Sequence, residues 1–110
     1  MRSGSGPEMT VLPPQLSPYR STPIFDETTL PAALRREHRT KPGVWGVIRV
    51  VEGALELRFA EGAPPQILSP GAPGLVLPDQ PHWVTPLGAM RMQVDFYDRA
   101  PDGISPSGGS

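Results

Sequence analysis

The chain contains no cysteine. Disulfide frameworks, thiolate zinc sites and cysteine nucleophiles are therefore excluded, and redox compartment is not readable from thiols. No apolar run approaches the roughly 20 residues of a membrane-spanning helix, and the opening MRSGSGPEM has no apolar signal core. The expectation is a cytoplasmic protein with no membrane partner. Basic residues form no block and the formal net charge is −1, which argues against a nucleic-acid partner, since phosphate-backbone binding needs clustered Lys and Arg. A glycine-rich phosphate loop, an HExxH helix and a nucleophile elbow are all missing, and the serines lie mostly near the ends. No nucleotide cofactor and no serine triad are expected.

What the chain has in quantity is proline and glycine, 16 and 12 in 110 residues. Proline breaks helices and central strands and favours turns, so many short strands with little helix are predicted. The length implies one domain with a modest core. Residues 1–9 and 99–110 are rich in Gly, Ser and Pro and read as flexible segments around a domain at 10–98.

Strand signals recur at short intervals. VWGVIRVVEG is β-branched and ends in a turn at Glu52-Gly53; ALELRF follows with Leu55, Leu57 and Phe59 on one face. Together they read as a hairpin. PQIL, GLVL and HWVT are each closed by Pro/Gly turns, and MRMQVDFY alternates Met90, Met92, Val94 and Phe96 against Arg91, Gln93, Asp95 and Tyr97. This spacing predicts an all-β small barrel or sandwich. LPAALRREHR stands apart. Its propensity favours a helix, with Asp26 as a cap upstream, whereas a strand would put Leu34, Arg36, His38 and Thr40 on one face.

The candidate chemistry rests on few residues. His38 and His82 are the only histidines; imidazole is a common metal ligand, and surface or hydrogen-bonded histidine is the competing reading. Proline-framed turns fix the backbone around His82. Asp95 sits mid-strand, where Asp is disfavoured and needs a cation, a metal or backbone donors. Its inward and outward readings exclude each other unless both faces of the strand are covered, by a dimer interface or an N-terminal arm. In RREHRTK, Arg36 suits an anionic group held bidentately, against a plain solvated charged segment. Trp45 and Trp83 are core or pocket-wall aromatics.

YRSTPIFDE, HRTKPGVWG with its VVEG turn, LPDQPHW and VDFY together resemble the TehB/YeaR-like domain family, over about Leu16 to Asp98. This is a small cupin-type family that precedes a methyltransferase domain in some tellurite-resistance proteins. The resemblance implies a single-domain cupin-type β-barrel (double-stranded β-helix or jelly roll). It implies a strand at His38, supplying the first metal histidine, and places His82 at the second. Thr40 stands where the family pattern of cupins has another histidine, and the usual glutamate near Trp45 and Gly46 is absent. The expected metal set is His38, His82 and Asp95, suited to Zn, Fe or Ni, with Arg36, Glu37, Thr40, Trp45 and Gln93 as pocket or supporting residues. No methyltransferase activity is inferred.

Three functions follow from these expectations. The first is a stand-alone binding module for a divalent metal or small ligand, without turnover, linked to tellurite or oxyanion stress. The second is a metal-dependent oxygenase or isomerase using His38, His82 and Asp95. The third is a structural or interaction domain with a vestigial pocket, pairing as a homodimer through exposed strands.

Overall fold

The structure, a computed structural model, describes residues 18–101. The 1–9 segment, the start of the predicted domain and most of the predicted tail lie outside the described residues. The described chain is a small, mostly β domain. In chain order its elements are β1 (Arg20–Ser21), β2 (Phe25–Asp26), α1 (Ala32–Arg35), β3 (Trp45–Glu52), β4 (Leu55–Phe59), β5 (Gln66–Leu68), β6 (Gly74–Val76), β7 (His82–Pro86) and β8 (Arg91–Tyr97).

Two antiparallel sheets share these strands. The larger runs β1-β8-β3-β6, with β2 also paired to β8; the smaller runs β5-β4-β7. Alternation explains how they face each other. Leu55, Leu57 and Phe59 all point one way from β4 and are buried. They meet Ile48 and Val50 of β3, Val76 of β6 and Met92 and Val94 of β8 in one core. No ladder joins the two sheets among the described residues, so strand pairing does not close the barrel expected from the resemblance.

The predicted β3–β4 hairpin is corrected. β3 pairs with β8 and β6, β4 with β5 and β7, and the two lie in different sheets. The link is a corner. The β3–β8 register shifts between Val50 and Glu52, a bulge that bends β3 just before Gly53. Gly53 has φ +78°, and a Cβ there would lie 2.3 Å from the Ala89 carbonyl oxygen. The Glu-Gly signal marked a turn correctly, but a turn between sheets has the same local chemistry as a hairpin turn.

The strand expected through His38 is also corrected. Its first part is the single helical turn α1, entered through Pro31 at φ −59° and left through extended Arg36. Ala32, Ala33, Leu34 and Arg35 follow their propensity, while the Arg35 guanidinium donates to the Glu27 and Leu30 carbonyls. Only His38 pairs as a strand would, in an isolated bridge with His82. Asp26 does not cap α1. Its Oδ1 accepts from the backbone N–H of Thr28 and Thr29 and from both hydroxyls, closing the turn before Leu30.

The corner generates a prediction. Gly53→Ala should destabilise the fold by at least about 2 kcal/mol, because left-handed strain is joined by a clash with backbone. Gly62 also has positive φ, but a methyl group added there would have nothing within 4 Å, so Gly62→Ala should cost only about 1 kcal/mol. Urea unfolding of both variants checks the order.

Candidate functional site

His38 and His82 meet through their backbones before their rings do. The His38 N–H donates to the His82 carbonyl at 2.9 Å, and the His82 N–H returns the bond to His38 at 2.8 Å. This adds His38 to the edge of β7 and sets the ring centroids 4.1 Å apart, tilted by 55°. Each ring donates its Nδ1–H to a nearby carbonyl: His38 to Arg36 at 3.0 Å, His82 to Gln80 at 2.8 Å. A carbonyl can only accept, so in the neutral ring the lone pair belongs to Nε2.

His82 is the buried member, 3% exposed. Burial pushes its pKa down to about 4, and the bond to Gln80 only partly opposes this. It is a neutral imidazole at pH 7. Among the described residues, no side chain or backbone group bonds its Nε2.

The sequence before His82 explains how it is held. Leu77-Pro78-Asp79-Gln80 forms a tight turn in which Asp79 has φ 59° and Gln80 N–H donates to the Leu77 carbonyl. The Gln80 side chain accepts from Leu77 N–H at 2.9 Å. Thr40 clamps the same turn from outside, its Oγ1 donating to the Leu77 carbonyl and accepting from Asp79 N–H. Arg39 adds an ion pair to Asp79 at 3.2 Å. Thr40 thus orders the turn that presents His82.

Both imidazoles lie on the wall of a cavity of about 150 Å³ between the two sheets. Ile48, Val76, Val84, Met92, Val94 and Phe96 supply most of its lining. Thr40 reaches it, as do Thr22 and Arg39. Gly46 lines it as well. A methyl group on Gly46 would make ordinary contacts of 3.6–3.9 Å with Thr40, Val76 and Val94. A glycine inside the β-branched run VWGVIRVV was a readable sign of close approach or open space. Its link to the histidines was not readable, because that pairing is long-range.

Asp95 is not brought to the histidines. β8 turns Met92 and Val94 inward, and Asp95 lies on the other face, opposite Val47. There it accepts from Arg49 Nε at 2.6 Å and from the Ser21 hydroxyl at 2.7 Å. These are the cation and donors a buried carboxylate requires. Both faces of β8 are covered at this point, since Val47, Leu75 and Tyr97 form a second buried cluster beside it. Trp45 packs against that cluster and does not line the cavity. Gln93 donates to the Thr22 carbonyl. Arg36 and Glu37 are exposed and outside the cavity lining.

For a divalent metal the fit is incomplete. The tautomers are right, since ligating histidines donate their second nitrogen to an acceptor. Among the described residues, however, no group of three or more His, Asp or Glu gathers as a ligand set. The rings are also close. Two imidazoles on one tetrahedral ion, each bound at about 2.1 Å, place their centroids roughly 5 Å apart, against 4.1 Å here. A shared ion needs the rings to swing apart.

The model of the TehB-like domain family matches residues 20–94, covering β1, α1, most of β8 and every residue of the cavity wall except Phe96. The chain belongs to the TehB-like domain family. Among solved structures, the domain is similar to TehB from Haemophilus influenzae, with TM-score 0.68 and 27% identity over 76% of this chain. It spans 32% of that TehB chain. It is also similar to a structural-genomics target protein from E. coli strain K12, with TM-score 0.68 and 25% identity. That likeness covers 86% of this chain and all of the other. No curated protein matches this TehB-like chain. No described helix is long and apolar enough to cross a membrane.

The state of His82 sets an acid limb. The unfolded histidine takes a proton near pH 6.5, the folded one only near pH 4, so stability is full above about 6.5 and falls as pH drops towards 4. The loss should reach about 3 kcal/mol. Urea midpoints at pH 7 and pH 4.5 should differ strongly in wild type and much less in His82→Asn.

Proposed function

We propose that the domain is a binding module that takes a small molecule into the cavity between its sheets, in the manner of a cupin-type pocket and without turnover. One observation carries this reading: a buried, neutral His82 whose Nε2 has no donor among the described residues, on the wall of a mainly apolar cavity. A buried acceptor left alone costs about 1–3 kcal/mol. A ligand hydroxyl or amide N–H offsets that cost, and the apolar lining holds the ligand body. The absence of Asp95 from the cavity removes the third ligand from the His/His/Asp enzyme reading. The setting, on the resemblance to tellurite-resistance proteins, is the response to oxyanion stress. The TehB activity of the longer relative is not carried over.

A second reading uses the same lone pairs. A divalent ion such as Zn, Fe or Ni would accept Nε2 of His38 and His82, with water or the bound molecule completing its sphere. The ligating tautomer of both rings favours it, and the 4.1 Å centroid spacing opposes it.

Benzyl alcohol tests the first reading, since it offers a ring to the cavity and a hydroxyl to Nε2. In a protein-detected NMR titration, the methyl signals of Ile48, Val84 and Val94 should move together. Gly46→Val should abolish the response while keeping a folded spectrum, and Gly46→Ala should weaken it. Shifts scattered over the surface, or identical in the Gly46 variants, contradict a cavity site. Under zinc titration, stoichiometric binding lost in both His38→Ala and His82→Ala but kept in Asp95→Ala would establish the second reading.

A further inference from the structure

The cavity opens beside a second, more exposed groove. The groove is lined by Tyr19, Arg20, Thr22, Arg39, Lys41 and Phe96, among others. Thr22, Arg39, Thr40 and Phe96 line both spaces, so the two are contiguous. Their chemistry differs sharply. The cavity presents mainly apolar side chains, whereas the groove gathers three cations and no carboxylate among its lining residues. Arg39 is paired with Asp79. Arg20 and Lys41 make no ion pair among the described residues.

The groove comes from elements far apart in sequence. β1 places Arg20 by pairing it with Phe96 of β8. Lys41 is fixed where the chain leaves the His38 bridge, its carbonyl accepting from Val44 N–H. The overall charge of −1 therefore hides a local excess of positive charge at the mouth of an apolar cavity. Such a cluster attracts an anion and orients it as it enters.

We propose that the ligand is a small monoanion with a ring-sized apolar body and one hydroxyl that donates to Nε2 of His82, an aromatic hydroxycarboxylate being the simplest case. Its body occupies the cavity and its anionic group lies at Arg20 and Lys41. This rests on the cavity being a binding site, and adds the ligand's charge and size. The size follows from the volume: an apolar cavity of about 150 Å³ accepts a molecule such as benzene. The charge follows from the groove. A doubly charged, strongly hydrated oxyanion suits the groove alone, because the cavity offers it almost no donors.

The test compares benzoate, benzyl alcohol and benzylamine, each as its 4-hydroxy derivative so that all three offer Nε2 the same donor and differ in charge, on the full chain at low salt. Wild type is run beside an Arg20→Gln/Lys41→Gln double variant, in which only exposed side chains change. Benzoate should bind about tenfold tighter than benzyl alcohol, and benzylamine weakest. The benzoate preference should vanish in the double variant and in about 0.5 M salt, while affinity for benzyl alcohol stays within about twofold. Equal affinity for benzoate and benzyl alcohol, a benzoate preference that survives the double variant, or tightest binding of benzylamine would overturn the proposal and leave the cavity reading standing. If none of the three binds wild type at the cavity methyls, the cavity reading itself fails and this proposal falls with it.

Discussion

Two backbone hydrogen bonds between His38 and His82 are the constraint on which the site depends. They hold the segment after α1 against the edge of the small sheet, where its sequence alone would not keep it. From that single bridge several consequences follow. The rings are brought to 4.1 Å. Thr40, two residues on, is carried over the Leu77–Gln80 turn, which it clamps. Arg39 and Lys41 are carried to the groove. Each bond contributes only about 1 kcal/mol net, so the bridge matters more for placement than for stability.

Much of the fold was legible because it is written in alternation. Leu55, Leu57 and Phe59 declare their face, and so do Met92 and Val94; the structure buries them all. The β3–β4 connection was not legible, since a bulge and a positive-φ glycine read alike in a hairpin and in a corner. The stretch from Leu30 to Thr40 divided two correct signals between two halves. Its Ala-Ala-Leu-Arg portion obeys helix propensity, and His38 obeys a long-range pairing that no local pattern records.

The site was half legible. The rarity of histidine and the proline-framed turn singled out His38 and His82, and the structure brings these two together. Asp95 misled through its mid-strand position. A buried carboxylate needs compensation, and the sequence cannot say whether a metal or an arginine supplies it. Arg49 lies opposite Gln93 in the β3–β8 register, two residues from Val47, the direct partner of Asp95, and reaches Asp95 diagonally along the outer face. Thr40 was expected to support the pocket from the position of a missing ligand; it lines the cavity, and its hydroxyl positions the turn before His82. Gly46, Thr22 and Arg39 were passed over, because the cavity they line exists only once both sheets are in place.

Everything proposed for the cavity requires that His82 stand neutral in the fold, with its Nδ1–H committed to Gln80 and its Nε2 left for a ligand. Long-range proton–nitrogen NMR of the imidazole measures this directly. We expect a single neutral tautomer with protonated Nδ1 and bare Nε2, unchanged from pH 7 down to about 5. A proton on Nε2 at pH 7, or an imidazolium already formed near pH 6, would contradict it.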